Sequence, residues 1–175
     1  MCNIVLVGMM GSGKSTLSHL LYEKTGFKIV DTDTMIEAQE QCSINEMFES
    51  KGESYFRMLE KHFLETLNES QSIISTGGGM VVQDENIEKL RELGQVFYLK
   101  GTVETLKKRL MSQTEKRPLL DEHALEDQLS HLLTKREAMY TRAAHHIVDI
   151  DDKSAEVIVS EIYAILRELD YKFLV

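Results

Sequence analysis

The chain is predicted to form an α/β fold, a parallel sheet with helices on both faces. Three observations predict it. Five short apolar runs, at residues 4–7, 27–30, 72–75, 96–99 and 146–150, read as strands. Helical patterns alternate with them, and a chain that returns through a helix after each strand builds a parallel sheet. Residues 8–16 read Gly-Met-Met-Gly-Ser-Gly-Lys-Ser-Thr and fill the pattern G-x-x-x-x-G-K-S/T between the first strand and the first helix.

The elements follow in order. The run 4–7 is continuously apolar and 27–30 is apolar but for Lys28, and both read as strands buried on both faces. The first helix covers about 15–24, and Gly26 is placed to cap its end. Ser43-Ile44-Asn45-Glu46 has capping-box spacing and starts a short helix that stops near Gly52. A longer helix, 53–68, carries Phe56, Leu59, Phe63 and Leu67 on one stripe. Gln83 or Asp84 caps the next, which ends near Gly94. A further helix at 103–111 leads into the polar stretch 112–122, which holds the lone proline, Pro118. That stretch has little to bury and suits a mobile flap. Two final helices cover about 124–141 and 155–169.

At 175 residues, with 42% hydrophobic and 28% charged residues, the chain is sized for one globular domain with its own core. No repeat or linker divides it. The net charge of −9 argues against non-specific nucleic-acid binding. It also leaves an anionic substrate to be met by a few placed arginines. No apolar run approaches the roughly 20 residues that cross a membrane, and no basic leader precedes the first strand. The expectation is a cytoplasmic monomer acting on small molecules, with neither nucleic acid nor membrane as partner. Cys2 and Cys42 are isolated and read as reduced thiols. His145 and His146 are adjacent in a strand-like run, so they face opposite ways and offer no metal spacing.

The glycine-rich segment carries the clearest chemistry. Between a strand and a helix, its free backbone N–H groups can wrap a phosphate chain. Gly11, Ser12, Gly13, Lys14, Ser15 and Thr16 are therefore the expected ATP-binding residues. Lys14 reaches the β- and γ-phosphates, and the Ser15 hydroxyl ligates Mg²⁺.

Asp31-Thr32-Asp33 follows the second strand directly, at the sheet end where open α/β folds bind ligands. One carboxylate can hold the Mg²⁺ shell while the other faces an acceptor hydroxyl. The plainer alternative is a solvated turn capping a helix. The third strand ends in Gly77-Gly78-Gly79 with no carboxylate, so Asp31 is the candidate to complete the Mg²⁺ shell with Ser15. The triple glycine marks a place where backbone meets ligand. Arg57 and Arg136 read either as helix-surface arginines, Arg57 pairing with Glu60, or as anion ligands. Arg117-Pro118-Leu119-Leu120 puts two leucines behind an arginine, as expected of a flap that closes on phosphates.

Together these motifs resemble the shikimate kinase family over nearly the whole length. The resemblance rests on the segment 8–16, Asp31-Thr32-Asp33, Gly52-Glu53 with Phe56-Arg57 and Glu60, Gly77-Gly78-Gly79, Arg117-Pro118-Leu119-Leu120, and Arg136 with Tyr140. It implies a three-layer P-loop kinase fold with a five-stranded parallel sheet in the order 2-3-1-4-5. It further implies Mg²⁺-dependent transfer of the ATP γ-phosphate to the 3-hydroxyl of shikimate, in aromatic amino-acid biosynthesis. Asp33, Arg57, Gly78 and Arg136 would hold shikimate, with both arginines facing its carboxylate. Asp33, Lys14 and Arg117 would be catalytic, and Arg117 would contact the nucleotide phosphates from a lid at about 112–122. A substrate-binding subdomain would span about 33–61. Arg109 is similar to a second, adenine-side arginine, and 151–155 would form the adenine loop. Met9 stands where the family commonly has phenylalanine or leucine, a change expected to affect packing and not chemistry.

A kinase for another polyol acid, such as gluconate, would share the phosphate loop and flap but would not require Asp33, Arg57, Gly78 and Arg136 together. A nucleotide-binding module without catalysis would have no need for Lys14, Ser15, Asp31, Asp33 and Arg117 intact. A GTPase switch would carry an Asn-Lys-x-Asp motif, which is absent.

Overall fold

The computed structural model describes residues 3–113 and 122–169. The sheet has five parallel strands in the order β2-β3-β1-β4-β5. These are β1 (Asn3–Val7), β2 (Lys28–Asp31), β3 (Ser72–Ser75), β4 (Gly94–Lys100) and β5 (His146–Asp149). The helices are α1 (Lys14–Thr25), α2 (Thr32–Glu40), α3 (Ile44–Lys51), α4 (Glu53–Thr66), α5 (Asp84–Leu93), α6 (Val103–Gln113), α7 (Glu122–Ala143) and α8 (Ala155–Glu168). Helices α1 and α8 pack together, with α1 against β3. Helices α5 and α7 pack together against β4.

β1 is central, and every one of its residues is buried, which its unbroken apolar run requires. It pairs on one side with β3 (Ile4 beside Ile73) and on the other with β4 (Ile4 beside Gln95). β2 departs from the expectation of burial on both faces. It is an edge strand, with Lys28 exposed and Val30 its one buried residue. β5 is the other edge, and of its residues only Val148 is buried.

The local signals act as the side chains dictate. Gly13 and Gly26 flank α1 in left-handed conformation. Ser43 and Glu46 form the reciprocal capping box of α3. Helix α2 has no range in the sequence reading, but the helix-capping alternative for Asp31-Thr32-Asp33 holds here. It starts without a loop, because Asp31 closes β2 and caps α2 at once, its Oδ1 accepting from Thr34 N at 3.1 Å. α7 extends beyond the expected 124–141 at both ends. His146 stacks on Phe97, and His145 Nδ1 accepts from Val96 N, so both histidines serve the sheet edge. No helix among the described residues is long and apolar enough to cross a membrane.

At the amino end of the sheet, Asn3 sews three segments together. Its Nδ2 donates to Glu69 O (2.8 Å) and Leu93 O (2.9 Å), and its Oδ1 accepts from Ser72 N (3.1 Å). Because the strands are parallel, their carboxyl ends share the opposite end. There the loop after β1, the start of α2, the loop after β3 and the loop after β5 meet.

Asn3→Ala leaves buried partners unpaired, so we expect a loss of about 3 kcal/mol of stability, measured by urea unfolding.

Candidate active site

The loop after β1 turns through Gly11 and Gly13, both left-handed at φ 79° and 90°. Lys14 opens α1 and folds back over this loop. Its Nζ donates to Gly8 O (2.8 Å), Met9 O (3.0 Å) and Ser12 Oγ (3.4 Å). Burial pushes the Lys14 ammonium down to about 8, against the opposing pull of Asp33 and Asp31. A cleft of about 280 Å³ opens beside it, lined by Gly11, Gly13, Lys14, Ser15, Thr16, Asp31, Asp33 and the segment 75–78.

The triple glycine is the hub of the site. A Cβ at Gly77 would fall on the Asp33 carboxylate, and a Cβ at Gly79 would fall on the Arg57 guanidinium. The Gly78 carbonyl accepts from Arg136 Nη1 (3.3 Å) and from the Tyr140 hydroxyl. Gly78 also lies against the phosphate loop. A Cβ there would stand 3.6 Å from both Gly8 O and Met10 N. At Gly77 and Gly79 the neighbouring side chains can approach this backbone only because those positions lack their own. Thr32 Oγ1 accepts from Gly77 N (3.0 Å), and Thr76 Oγ1 donates to Leu6 O (2.9 Å), which fixes the segment.

Each sequence-predicted residue can now be placed. Asp33, in the first turn of α2, is half-buried, and its Oδ1 has no partner among the described residues. Burial, then the Asp31 carboxylate, raises its pKa, while Lys14 and Arg57 oppose the rise. Arg57 is not the surface arginine of the plainer reading. Its side chain is only 11% exposed, held by Glu60 Oε2 (2.6 Å) and Glu53 Oε1 (2.8 Å). Arg136 comes in from α7. Ser15 and Asp31 face the same cleft from α1 and the end of β2. Arg109 spans the other side of the phosphate loop, donating to Ser12 O (3.2 Å), Ile150 O (2.8 Å) and Lys153 O (3.2 Å). It thereby joins the segment expected to form the adenine loop. Arg117 and the flap around Pro118 lie outside the described residues.

Two residues were undervalued in the sequence. Glu60 is fully buried, and burial pushes its carboxyl up to about 7, with Asp33 adding to the rise and Arg57 and Arg136 opposing it. Its Oε1 has no partner among the described residues. The i,i+3 spacing showed the Arg57 pair but not its depth. Tyr140, fully buried, stacks on Tyr98 with ring centroids 5.1 Å apart. Burial pushes its hydroxyl up to about 12, so it stays protonated at neutral pH.

The family model described as shikimate kinase matches residues 10–167. This chain belongs to the shikimate kinase family. A shikimate kinase of Persephonella marina is 44% identical over 168 residues, spanning 95% of this chain and all of that one. Among solved structures, shikimate kinase from Acinetobacter baumannii in complex with shikimate superposes with a TM-score of 0.87 at 33% identity. That match covers 97% of this chain and 95% of the other. A gluconokinase from Sinorhizobium meliloti has a TM-score of 0.61 at 17% identity, covering 96% of this chain and 93% of that one, a likeness of fold alone.

The donor set suits Mg²⁺. Ser15 and Asp31 offer oxygen, and Mg²⁺ favours few protein ligands with phosphates and waters completing its shell. Among the described residues no group of three or more His, Cys, Asp or Glu side chains is arranged to cage a metal without a co-ligand.

The depressed Lys14 value has a consequence for nucleotide binding. A polyphosphate binds the protonated form, so affinity is full below about pH 8 and falls as pH rises through it. ADP titrated calorimetrically should bind about tenfold more weakly at about pH 9 than at about pH 7. Lys14→Arg should flatten that slope, since a guanidinium keeps its proton.

Proposed function

We propose that this chain transfers the γ-phosphoryl group of ATP to the 3-hydroxyl of shikimate. The products are shikimate 3-phosphate and ADP, in the biosynthesis of chorismate and the aromatic amino acids. One observation carries the reading: three consecutive glycines touch Asp33, Arg136 and Arg57 in turn while the middle one abuts the phosphate loop. An acceptor held by those side chains would sit beside the phosphates that Lys14 attends.

The chemistry asks for position and charge rather than covalent catalysis. Gly11, Ser12, Gly13, Ser15 and Thr16 wrap the phosphate chain, and Lys14 exchanges its bonds to Gly8 O and Met9 O for the β- and γ-phosphate oxygens. Ser15 and Asp31 would hold Mg²⁺, which when bound supplies charge neutralisation at the β- and γ-phosphates. Arg57 and Arg136 receive the acceptor's planar carboxylate, for which a guanidinium fork is suited. The Gly78 backbone lies between them. Asp33 lines the cleft and has a raised affinity for protons, so it accepts the acceptor's hydroxyl hydrogen and takes the proton as the phosphoryl group arrives. Arg117, from a lid at about 112–122, adds charge on the γ-phosphoryl group. Helices α2 to α4 supply the acceptor subdomain. The enzyme acts in the cytoplasm as a monomer.

Gluconate fits less well. Its flexible chain would have to be frozen to meet three fixed contacts, whereas a ring presents its hydroxyls already oriented.

An ADP-release assay with ATP and Mg²⁺ should respond to shikimate and not to gluconate, quinate or nucleoside monophosphates. A preference for another acceptor overturns the assignment. In the same assay Asp33→Asn should cut kcat about a thousandfold, while calorimetry finds ADP affinity unchanged within about twofold. Arg57→Ala should raise the KM for shikimate at least about tenfold; an unaltered KM would return Arg57 to the role of a helix-packing residue.

A further inference from the structure

Tyr140 is fully buried and belongs to neither ligand set, yet its hydroxyl stands where the two halves of the site meet. It donates to the Gly78 carbonyl, the same oxygen that Arg136, one helical turn away on α7, reaches at 3.3 Å, and it lies 3.5 Å from Met9 Sδ in the phosphate loop. Its ring is held by the stack on Tyr98 of β4, which pairs beside β1. The hydroxyl therefore touches the acceptor loop and the nucleotide loop together, and shares its carbonyl partner with an acceptor arginine. Met9 then bears on more than packing, since its sulfur is the contact on the nucleotide side.

We propose that Tyr140 is a positioning residue for phosphoryl transfer, fixing the Gly78 carbonyl and so the spacing between the acceptor loop and the phosphate loop. The inference rests on the transfer reaction proposed above. A pinned carbonyl fixes the plane of its peptide, and with it the direction of the Gly79 N–H. Neither the Gly78 nor the Gly79 N–H has a partner within the described residues, so both remain available to an acceptor. Transfer between two held groups depends steeply on their separation, and displacements of about 1 Å cost about a hundredfold in rate. Loosening this joint costs rate before it costs affinity, because the ligand-contacting groups all remain.

Tyr140→Phe keeps the ring and its stack and deletes the hydroxyl. We expect kcat to fall about tenfold, with the KM values for ATP and shikimate both within about threefold of the unmodified chain. Tyr98→Phe is the control. It removes a buried hydroxyl from the same stack that bonds nothing among the described residues, and kcat should stay within about twofold. An unchanged kcat in Tyr140→Phe, a loss confined to KM, or an equal loss in Tyr98→Phe overturns the proposal.

NMR of the unmodified protein gives a test that does not depend on the variant folding. The Tyr140 hydroxyl proton should give a resolved signal with NOEs to the Met9 methyl and the Gly78 α-protons, and both ADP and shikimate should shift it. A proton lost to solvent exchange, or shifted by one ligand or none, overturns the proposal. Should the unmodified chain fail to phosphorylate shikimate, the reaction assignment falls. The NMR arm still decides whether this tyrosine joins the two loops.

Discussion

Charge withheld from water is the constraint on which this site is built. Lys14, Asp33, Arg57 and Glu60 all sit wholly or partly within the fold, and each would be costly there alone. Together they offset one another: Asp33 supports the protonated Lys14, and Arg57 holds the Glu60 carboxylate at 2.6 Å. The offset is incomplete, which is why Lys14 releases its proton early while Asp33 and Glu60 hold theirs late. In the proposed reaction, negative charge on a bound polyphosphate would favour the protonated form of Lys14.

Much of this was readable in the residues. β1 lies where its unbroken apolar run puts it, β3 lies at the expected 72–75, and Gly26 and Ser43 cap the helices they were expected to bound. What escaped did so for physical reasons. Helix α2 was hidden because Asp31 serves as both the last strand residue and the helix cap, leaving no loop to mark the change. That β2 lies at an edge is a matter of topology, and Lys28 within the run 27–30 is the one mark of it in the residues. The phosphate loop was legible from spacing alone. Glu60 was not, because an acidic residue three places after an arginine reads the same on a surface as in an interior. Its depth comes from where α4 lies, with Leu59 and Phe63 on the same buried stripe.

Fold and site carry different weights in the functional reading. The gluconokinase likeness at 17% identity shows how widely this sheet and its phosphate loop are shared. In the proposed reading the acceptor is chosen instead by a few groups around the loop after β3. The glycines there act by what they lack. Asp33 and Arg57 occupy space that a side chain on Gly77 or Gly79 would claim, so the acceptor pocket is carved from missing methyl groups as much as from charged ones.

The central place of β1 bears on how the chain comes to be folded at all. The first strand to leave the ribosome is the middle of the sheet, and its two neighbours end at Ser75 and Lys100. Until the chain has been made as far as β4, the most apolar strand has at least one open side. Non-local pairing of this kind closes slowly and leaves an unpaired strand edge exposed meanwhile. Ile4, Val5 and Leu6 therefore gain their last strand neighbour only when β4 arrives, a long-range closure on which the whole sheet waits.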